Sequence, residues 1–192
     1  SIWSVIYLFM IAYTIWQALP SQRGSARQRK VGYPIALTAV LNGFWLLAAQ
    51  YTTLLVTVLT IVALLVALGW AIRILVLNPP RTFAETFFTD ITVGLHLGWV
   101  TLATVANVTA WLTAEVAPKS WGEAATAWGI AVIIVVVLIA AASAIGTRGR
   151  LAPALASAWG LLWIGIGRFA TEPQSTPIAI VAWVAAAIVV IV

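Results

Sequence analysis

The sequence predicts an all-α, polytopic membrane bundle with about seven transmembrane helices, and three observations carry that prediction. Of the 192 residues 63% are hydrophobic and 8% charged, and mean hydropathy is +1.07, outside the range of water-soluble domains. Apolar runs of about 20 residues recur along the chain, the length a helix needs to cross a hydrocarbon core about 30 Å thick. Short segments rich in charge and proline separate those runs, and several tryptophans fall near their ends, where an amphipathic indole prefers the interface. Strands of a membrane barrel would be about 10 residues of alternating polarity, and no such segments occur.

The first span is expected over 2–19, stopping at Pro20. Residues 20–33, PSQRGSARQRKVGY, read as a basic loop with Arg23, Arg27, Arg29 and Lys30, and Pro34 suits the first turn of a second span ending near Gln50. Residues 51–53 allow only a tight turn, so the third span, 54–77, must return antiparallel beside the second. Arg73 near its end can snorkel to the interface. A connection over 78–90 contains Pro79, Pro80, Arg81, Glu85 and Asp90, and the fourth span follows over 91–112. The fifth, 124–145, has an almost wholly apolar core, IAVIIVVVLIAAA, which suits a lipid-facing wall. GTRGR at 146–150 leads to a sixth span over 151–169, and a seventh begins at Pro177.

If loops alternate sides, the odd ones (20–33, 78–90 and 146–150) hold Arg23, Arg27, Arg29, Lys30, Arg81, Arg148 and Arg150, against Lys119 and Arg168 in the even ones. The asymmetry places the odd loops in the cytoplasm, and the expected location is a bacterial cytoplasmic membrane. The net charge of +5 does not point to nucleic acid, because the cations are divided among short loops rather than gathered on one face.

The residue inventory excludes most catalytic sites. One histidine and no cysteine cannot build multi-histidine metal sites or Cys–His nucleophilic pairs within the chain. No phosphate-binding or dinucleotide glycine motif occurs. Glu85, Asp90, Glu115, Glu123 and Glu172 all fall in predicted loops or at helix ends, so the buried carboxylate that an ion-coupled transporter uses is not expected. The protein is therefore expected to be non-enzymatic.

The unusual residues converge on GLHLGWVTLATVANVTAW, residues 94–111. At about 100° per residue His96, Trp99, Ala103 and Asn107 share one helix face. Gly94 and Gly98 lie roughly opposite, a GxxxG surface that lets another backbone approach, so this helix is expected at the centre of the bundle. A neutral His96 can pack against a neighbouring helix, hydrogen-bond a ligand, or serve as an axial ligand to the metal of a haem or chlorophyll. Trp111, Trp121, Trp128 and Trp16 near span ends read as interfacial anchors. Trp45, Trp99 and Trp163 lie nearer mid-span, where a buried indole N–H needs an acceptor, so they are candidate pocket walls. Asn42 and Asn107 are costly in lipid unless bonded, and interhelical hydrogen bonds are their expected role.

Three segments together resemble the tryptophan-rich sensory protein family, TspO/MBR, also called the translocator or peripheral benzodiazepine receptor family. They are SIWSVIYLFM, with Trp3 and Tyr7; LTAVLNGFWLLAAQ, with Leu41, Asn42 and Trp45; and LHLGWVTLATVANVTAW, with Trp99, Ala103, Thr104, Asn107 and Trp111. The resemblance implies a TspO-like core over 1–112, lacking one N-terminal helix, with additional helices packed on it over 113–192. It also implies a pocket for a tetrapyrrole, sterol-like or drug-like aromatic compound with Trp99 and Ala103 in its wall. Joined to the candidates read from the residues themselves, the expected binding set for a hydrophobic planar ligand, such as a porphyrin or chlorophyll, is Trp3, Tyr7, Asn42, Trp45, His96, Trp99, Ala103 and Asn107. The family's Pro-Tyr before the Trp of that last helix is replaced here by residues that include His96. A sensory or regulatory binder, alone in the bilayer or as a homodimer, is the leading expectation. An accessory scaffold subunit of a larger, pigment-binding membrane complex is the second, and a transporter the third.

Overall fold

A computed structural model describes residues 1–117, 122 and 124–191, and these fold into seven helices with no strand among them. The helices are α1 (Ile2–Ala18), α2 (Ala26–Tyr51), α3 (Leu54–Leu77), α4 (Phe83–Val116), α5 (Ala125–Gly146), α6 (Leu151–Ala170) and α7 (Thr176–Ile191). Four of them, α2 to α5, are long and apolar enough to cross a membrane, whereas α1 and α7 are shorter apolar helices. Lys119, Trp121, Glu123 and Val192 lie outside the described residues.

Two of the expected loops are shorter than their charges suggested. The basic segment 20–33 is mostly helix, because Ser25 caps α2: its Oγ accepts from the Gln28 N–H at 3.3 Å, and the helix runs on through Pro34 rather than starting there. A proline ring inside a membrane helix is tolerated where neighbouring structure accommodates it. The connection 78–90 likewise ends early. Thr82-Phe-Ala-Glu85 has the Ser/Thr-x-x-Glu pattern of a helix start: Thr82 Oγ1 accepts from the Glu85 N–H at 3.2 Å, and Glu85 Oε2 accepts from the Arg81 N–H at 2.7 Å. From there α4 continues for 34 residues, with wide π-type turns at Thr86–Ile91 and Leu112–Val116. Asp90 thus sits within a helix. The tight turn expected at 51–53 comes at 52–53, and the loop expected at 146–150 comes at 147–150, each one residue shorter because Tyr51 and Gly146 still belong to the preceding helices.

The bundle is organised around α4, which packs on α1, α3, α5 and α6. In its most apolar stretch 56% of residues are buried, against 11% for α5, so α4 is central and α5 is an outer wall. One apolar core lies between α1, α2, α3 and α4, built from residues such as Tyr13, Val31, Ile61, Leu68, Val93 and Val100. Another joins α4 to α5, α6 and α7 through Leu102, Ile133, Leu161, Ala182 and Ala185. Ile2 and Ile6 of α1 meet Ala156 of α6 in a third, smaller cluster. Large exposed side chains such as Leu8, Leu59, Val66 and Leu138 cover the outside, as a lipid-facing surface requires.

Candidate functional site

Six of the eight residues singled out from the sequence meet where α1, α2 and α4 come together. Trp3 is their hub. Its ring stacks on Tyr7 and on Trp45, each at 5.4 Å between centroids, and meets Trp99 edge-on at 6.0 Å and His96 edge-on at 6.3 Å. Asn42 Nδ2 donates to the Tyr7 hydroxyl at 3.2 Å, an interhelical bond from α2 to α1. Helical spacing accounts for the assembly: Trp3 and Tyr7 are one turn apart on α1, Asn42 and Trp45 one turn apart on α2, and His96 and Trp99 one turn apart on α4.

The polar atoms of this cluster are not all satisfied. Asn42 Oδ1, Trp45 Nε1, His96 Nε2 and Trp99 Nε1 are buried with no hydrogen-bond partner among the described residues. Each such group costs free energy in an apolar interior, on the order of 1–3 kcal/mol, unless something binds it. Buried polar atoms are rarely left unpaired, and these four lie together in one aromatic nest.

Ala103 lies one turn beyond Trp99 and packs against the same core as Trp3 and Trp45. Asn107 is not brought in. Its Nδ2 donates to the Ala103 carbonyl of its own helix at 2.8 Å, and among the described residues it makes no interhelical bond of the kind expected. Trp163 is exposed and pairs with Trp159, away from the cluster. Trp16, read as an anchor, is buried and stacked on Phe88 at 5.5 Å. Trp111, by contrast, is half-buried and donates to Glu115 Oε2 at 3.0 Å.

The opposite face of α4 is taken by α6. A side chain on Gly98 would overlap the backbone of Pro153, and one on Gly94 would lie 2.7 Å from Ala152 Cβ. Ser157 Oγ donates to the Gly98 carbonyl at 3.1 Å, a further tie made possible by the close approach. The glycines therefore hold α6 against α4 and present His96 and Trp99 toward α1 and α2.

A family model described as TSPO-like protein matches residues 1–192. The chain belongs to the TSPO-like family. The match takes in the helices after residue 112 as well as those before it, and no curated protein and no solved structure matches. The protein is an integral membrane helical bundle of TspO type.

One constellation in this TSPO-like protein escaped the sequence reading. Asp90, read as a loop residue, is buried in α4, and two arginines hold it: Arg27 Nη2 at 2.7 Å from Oδ2 and Arg150 Nη2 at 3.0 Å from Oδ1. Arg27 Nε donates to the Asn78 carbonyl at 2.7 Å, and Arg150 Nη2 also reaches the Leu75 carbonyl at 3.0 Å. Lys30 Nζ donates to Asn78 Oδ1 at 2.8 Å, and Gln28 bridges Thr89 to Tyr13. The network ties the ends of α2, α3, α4 and α6 together, so the three odd connections meet at one end of the bundle. A buried carboxylate does exist, but it is doubly neutralised at a bundle end rather than free near its middle.

Proposed function

We propose that this TSPO-like protein binds a hydrophobic planar ligand, a tetrapyrrole or similar molecule, between α1, α2 and α4, and that it does so as a non-catalytic sensory or regulatory protein. The observation that carries the reading is the set of four unpaired buried polar atoms inside one aromatic cluster. Trp45 and Trp99 offer N–H donors, Asn42 an acceptor and His96 a ring nitrogen, a combination that suits a flat molecule with pyrrole N–H and carboxylate groups. A metal-bearing macrocycle would find His96 Nε2 available as an axial ligand. Because Trp3 now stacks on Trp45, the ligand would enter by taking the place of the Trp3 ring.

Titration of the detergent-purified protein with protoporphyrin, followed by Trp fluorescence and the porphyrin absorption band, tests the reading. Saturable quenching is expected, at least about tenfold weaker in Trp99→Ala, since one lost stacking ring and its polar contact are worth roughly 1.4 kcal/mol or more. No saturation, or an unchanged curve in Trp99→Ala, removes the pocket.

The odd connections are assigned to the cytoplasmic side of a bacterial cytoplasmic membrane. Setting aside Arg27 and Arg150, which are committed to Asp90, Arg23, Arg29, Lys30, Arg81 and Arg148 remain at that end against Lys119 and Arg168. The chain lacks cysteine, so single cysteines at Ser21 and Ser175 can be labelled with a membrane-impermeant maleimide in intact cells. Labelling at Ser175 alone is expected, and labelling at Ser21 alone would reverse the topology. A second reading, an accessory subunit docking on another membrane chain, is favoured by the scant burial of α5, whose Ile134, Val135 and Leu138 face outward. Copurification with a stoichiometric partner under mild detergent would support it, and a stable isolated monomer would count against it.

A further inference from the structure

At the end where the basic connections meet, α3 and α5 both pack on α4 but scarcely on each other, and a cleft of about 510 Å³ opens between them. That volume falls within the range of ligand sites in proteins, roughly 300–1,000 Å³. Its composition is divided. Gly69, Ile72 and Leu97 give it an apolar wall running toward the bundle interior, while Arg73 of α3 and Arg148 of the following loop line its outer part beside Ser143 and Thr147. No acidic side chain lines it, and neither guanidinium is bonded to another described residue. Both arginines are exposed.

The backbone beneath Arg148 supplies an independent observation. The α5 helix ends in a Schellman arrangement, with the Gly149 N–H donating to the Ala144 carbonyl at 2.8 Å and the Arg148 N–H to the Ile145 carbonyl at 3.2 Å. That motif puts a left-handed residue first after the helix, where glycine is the low-strain choice, yet here the position is Arg148 at φ 57°. It is the one described residue other than glycine with positive φ. A bulky side chain held in a strained conformation, with its charge at the rim of a cleft and no protein partner, is better explained by something outside the chain than by folding.

We propose that this cleft binds an anionic phospholipid, with Arg73 and Arg148 on its phosphate and the apolar wall against its acyl chain. The chemistry selects the class. Two guanidinium groups recognise a phosphate by charge-assisted hydrogen bonds, the Ser143 hydroxyl beside them supplies a neutral donor, and the adjoining apolar groove asks for a hydrocarbon tail attached to the same molecule. The cleft shares no lining residue with the aromatic cluster, so it can be tested separately from the planar-ligand reading.

The experiment is native mass spectrometry of the delipidated full chain titrated with phosphatidylglycerol and, separately, phosphatidylcholine. The expected result is at least a tenfold preference for phosphatidylglycerol, reduced to near parity in Arg73→Gln/Arg148→Gln. Arg148→Gly is the decisive variant, because it relieves the left-handed strain while deleting the charge: its thermal midpoint should equal or exceed that of the native protein while the lipid preference falls. Arg81→Gln, an exposed cation at the same end, should leave the preference intact. Equal binding of the two lipids, a preference that survives both arginine substitutions, or an equal loss in Arg81→Gln would each overturn the proposal. Displacement of phosphatidylglycerol by millimolar inorganic phosphate would overturn it too, by showing that the site reads a free anion rather than a lipid.

Discussion

Replacing Asp90 with asparagine should be among the most damaging conservative changes available in this protein. The substitution keeps size and shape but removes the charge that two guanidinium groups share. Arg27 has a side chain only 7% exposed, and its Nη1 is buried with no partner among the described residues, so after the substitution only neutral acceptors, the Asn78 carbonyl and the amide oxygen at position 90, remain to offset its charge. Breaking a buried pair by deleting one member typically costs about 3–5 kcal/mol, because it strands the other charge. Arg150 is 19% exposed and keeps the carbonyls of Thr147 and Leu75, so its share of the loss is smaller. Arg150→Gln, which leaves Asp90 paired to Arg27, should therefore cost only about 1.5–3 kcal/mol, the worth of hydrogen bonds to a charged group. Against a total stability of roughly 5–15 kcal/mol the Asp90 change is a large fraction. Unfolding by SDS titration, followed by circular dichroism and Trp fluorescence, reads both variants. The double variant Asp90→Asn/Arg27→Gln should be more stable than the sum of the single losses, since neutralising both partners removes the stranded charge. The reasoning fails if Asp90→Asn lies within about 0.5 kcal/mol of the native protein, the range of an ordinary surface change. It fails equally if the double variant is as unstable as the two singles summed.

Gly98→Ala should destabilise by about 1–3 kcal/mol or more, because the new methyl meets the Pro153 backbone, which cannot rotate away. Gly43→Ala in α2, with nothing within 4 Å of the new methyl, should instead stabilise by about 0.5–1 kcal/mol, and the two are compared in the same SDS titration. Ser25→Ala removes the α2 cap and should cost about 1 kcal/mol, with faster amide exchange confined to the first turn after Ser25 when followed by mass spectrometry. Trp3→Ala should lose about 3–5 kcal/mol of stability. If the planar ligand takes the place of the Trp3 ring, protoporphyrin should raise the thermal midpoint of that variant more than that of the native protein, and an equal or smaller rise would refute the displacement.

The aromatic site was legible because membrane helices leave few ways to misread a face. Trp3 and Tyr7, Asn42 and Trp45, and His96 and Trp99 each recur at a spacing of three or four residues, and in a span with so few polar side chains such pairs mark the inward face. Which helices would share those faces followed from the family resemblance rather than from spacing. Asn107 misled for a local reason: an asparagine in a helix can satisfy its amide on the carbonyl one turn back, and no periodicity distinguishes that from a bond to a neighbour.

The charge network was hidden by the assumption that charges in a hydropathic chain belong to water. Its signal was nevertheless present. The buried residues Arg27, Val31, Ile35, Thr38 and Asn42 continue one helical stripe backward through Pro34 to the Ser25 cap, so the period of α2 does not stop where its hydropathy does. Thr82-Phe-Ala-Glu85 is likewise a helix start placed eight residues before Asp90. Reading caps before hydropathy would have put Arg27 and Asp90 inside helices and raised the question of their partners. Arg150 could not be found that way, because its pairing with Asp90 depends on the close seating of α6 on α4, and that seating is set by Gly94, Gly98 and Pro153. The same glycine face that turns His96 and Trp99 toward α1 and α2 thus brings Arg150 to Asp90. Gly98→Ala should accordingly disturb the aromatic site and the charge network together, whereas Asp90→Asn should leave protoporphyrin binding of the folded fraction intact.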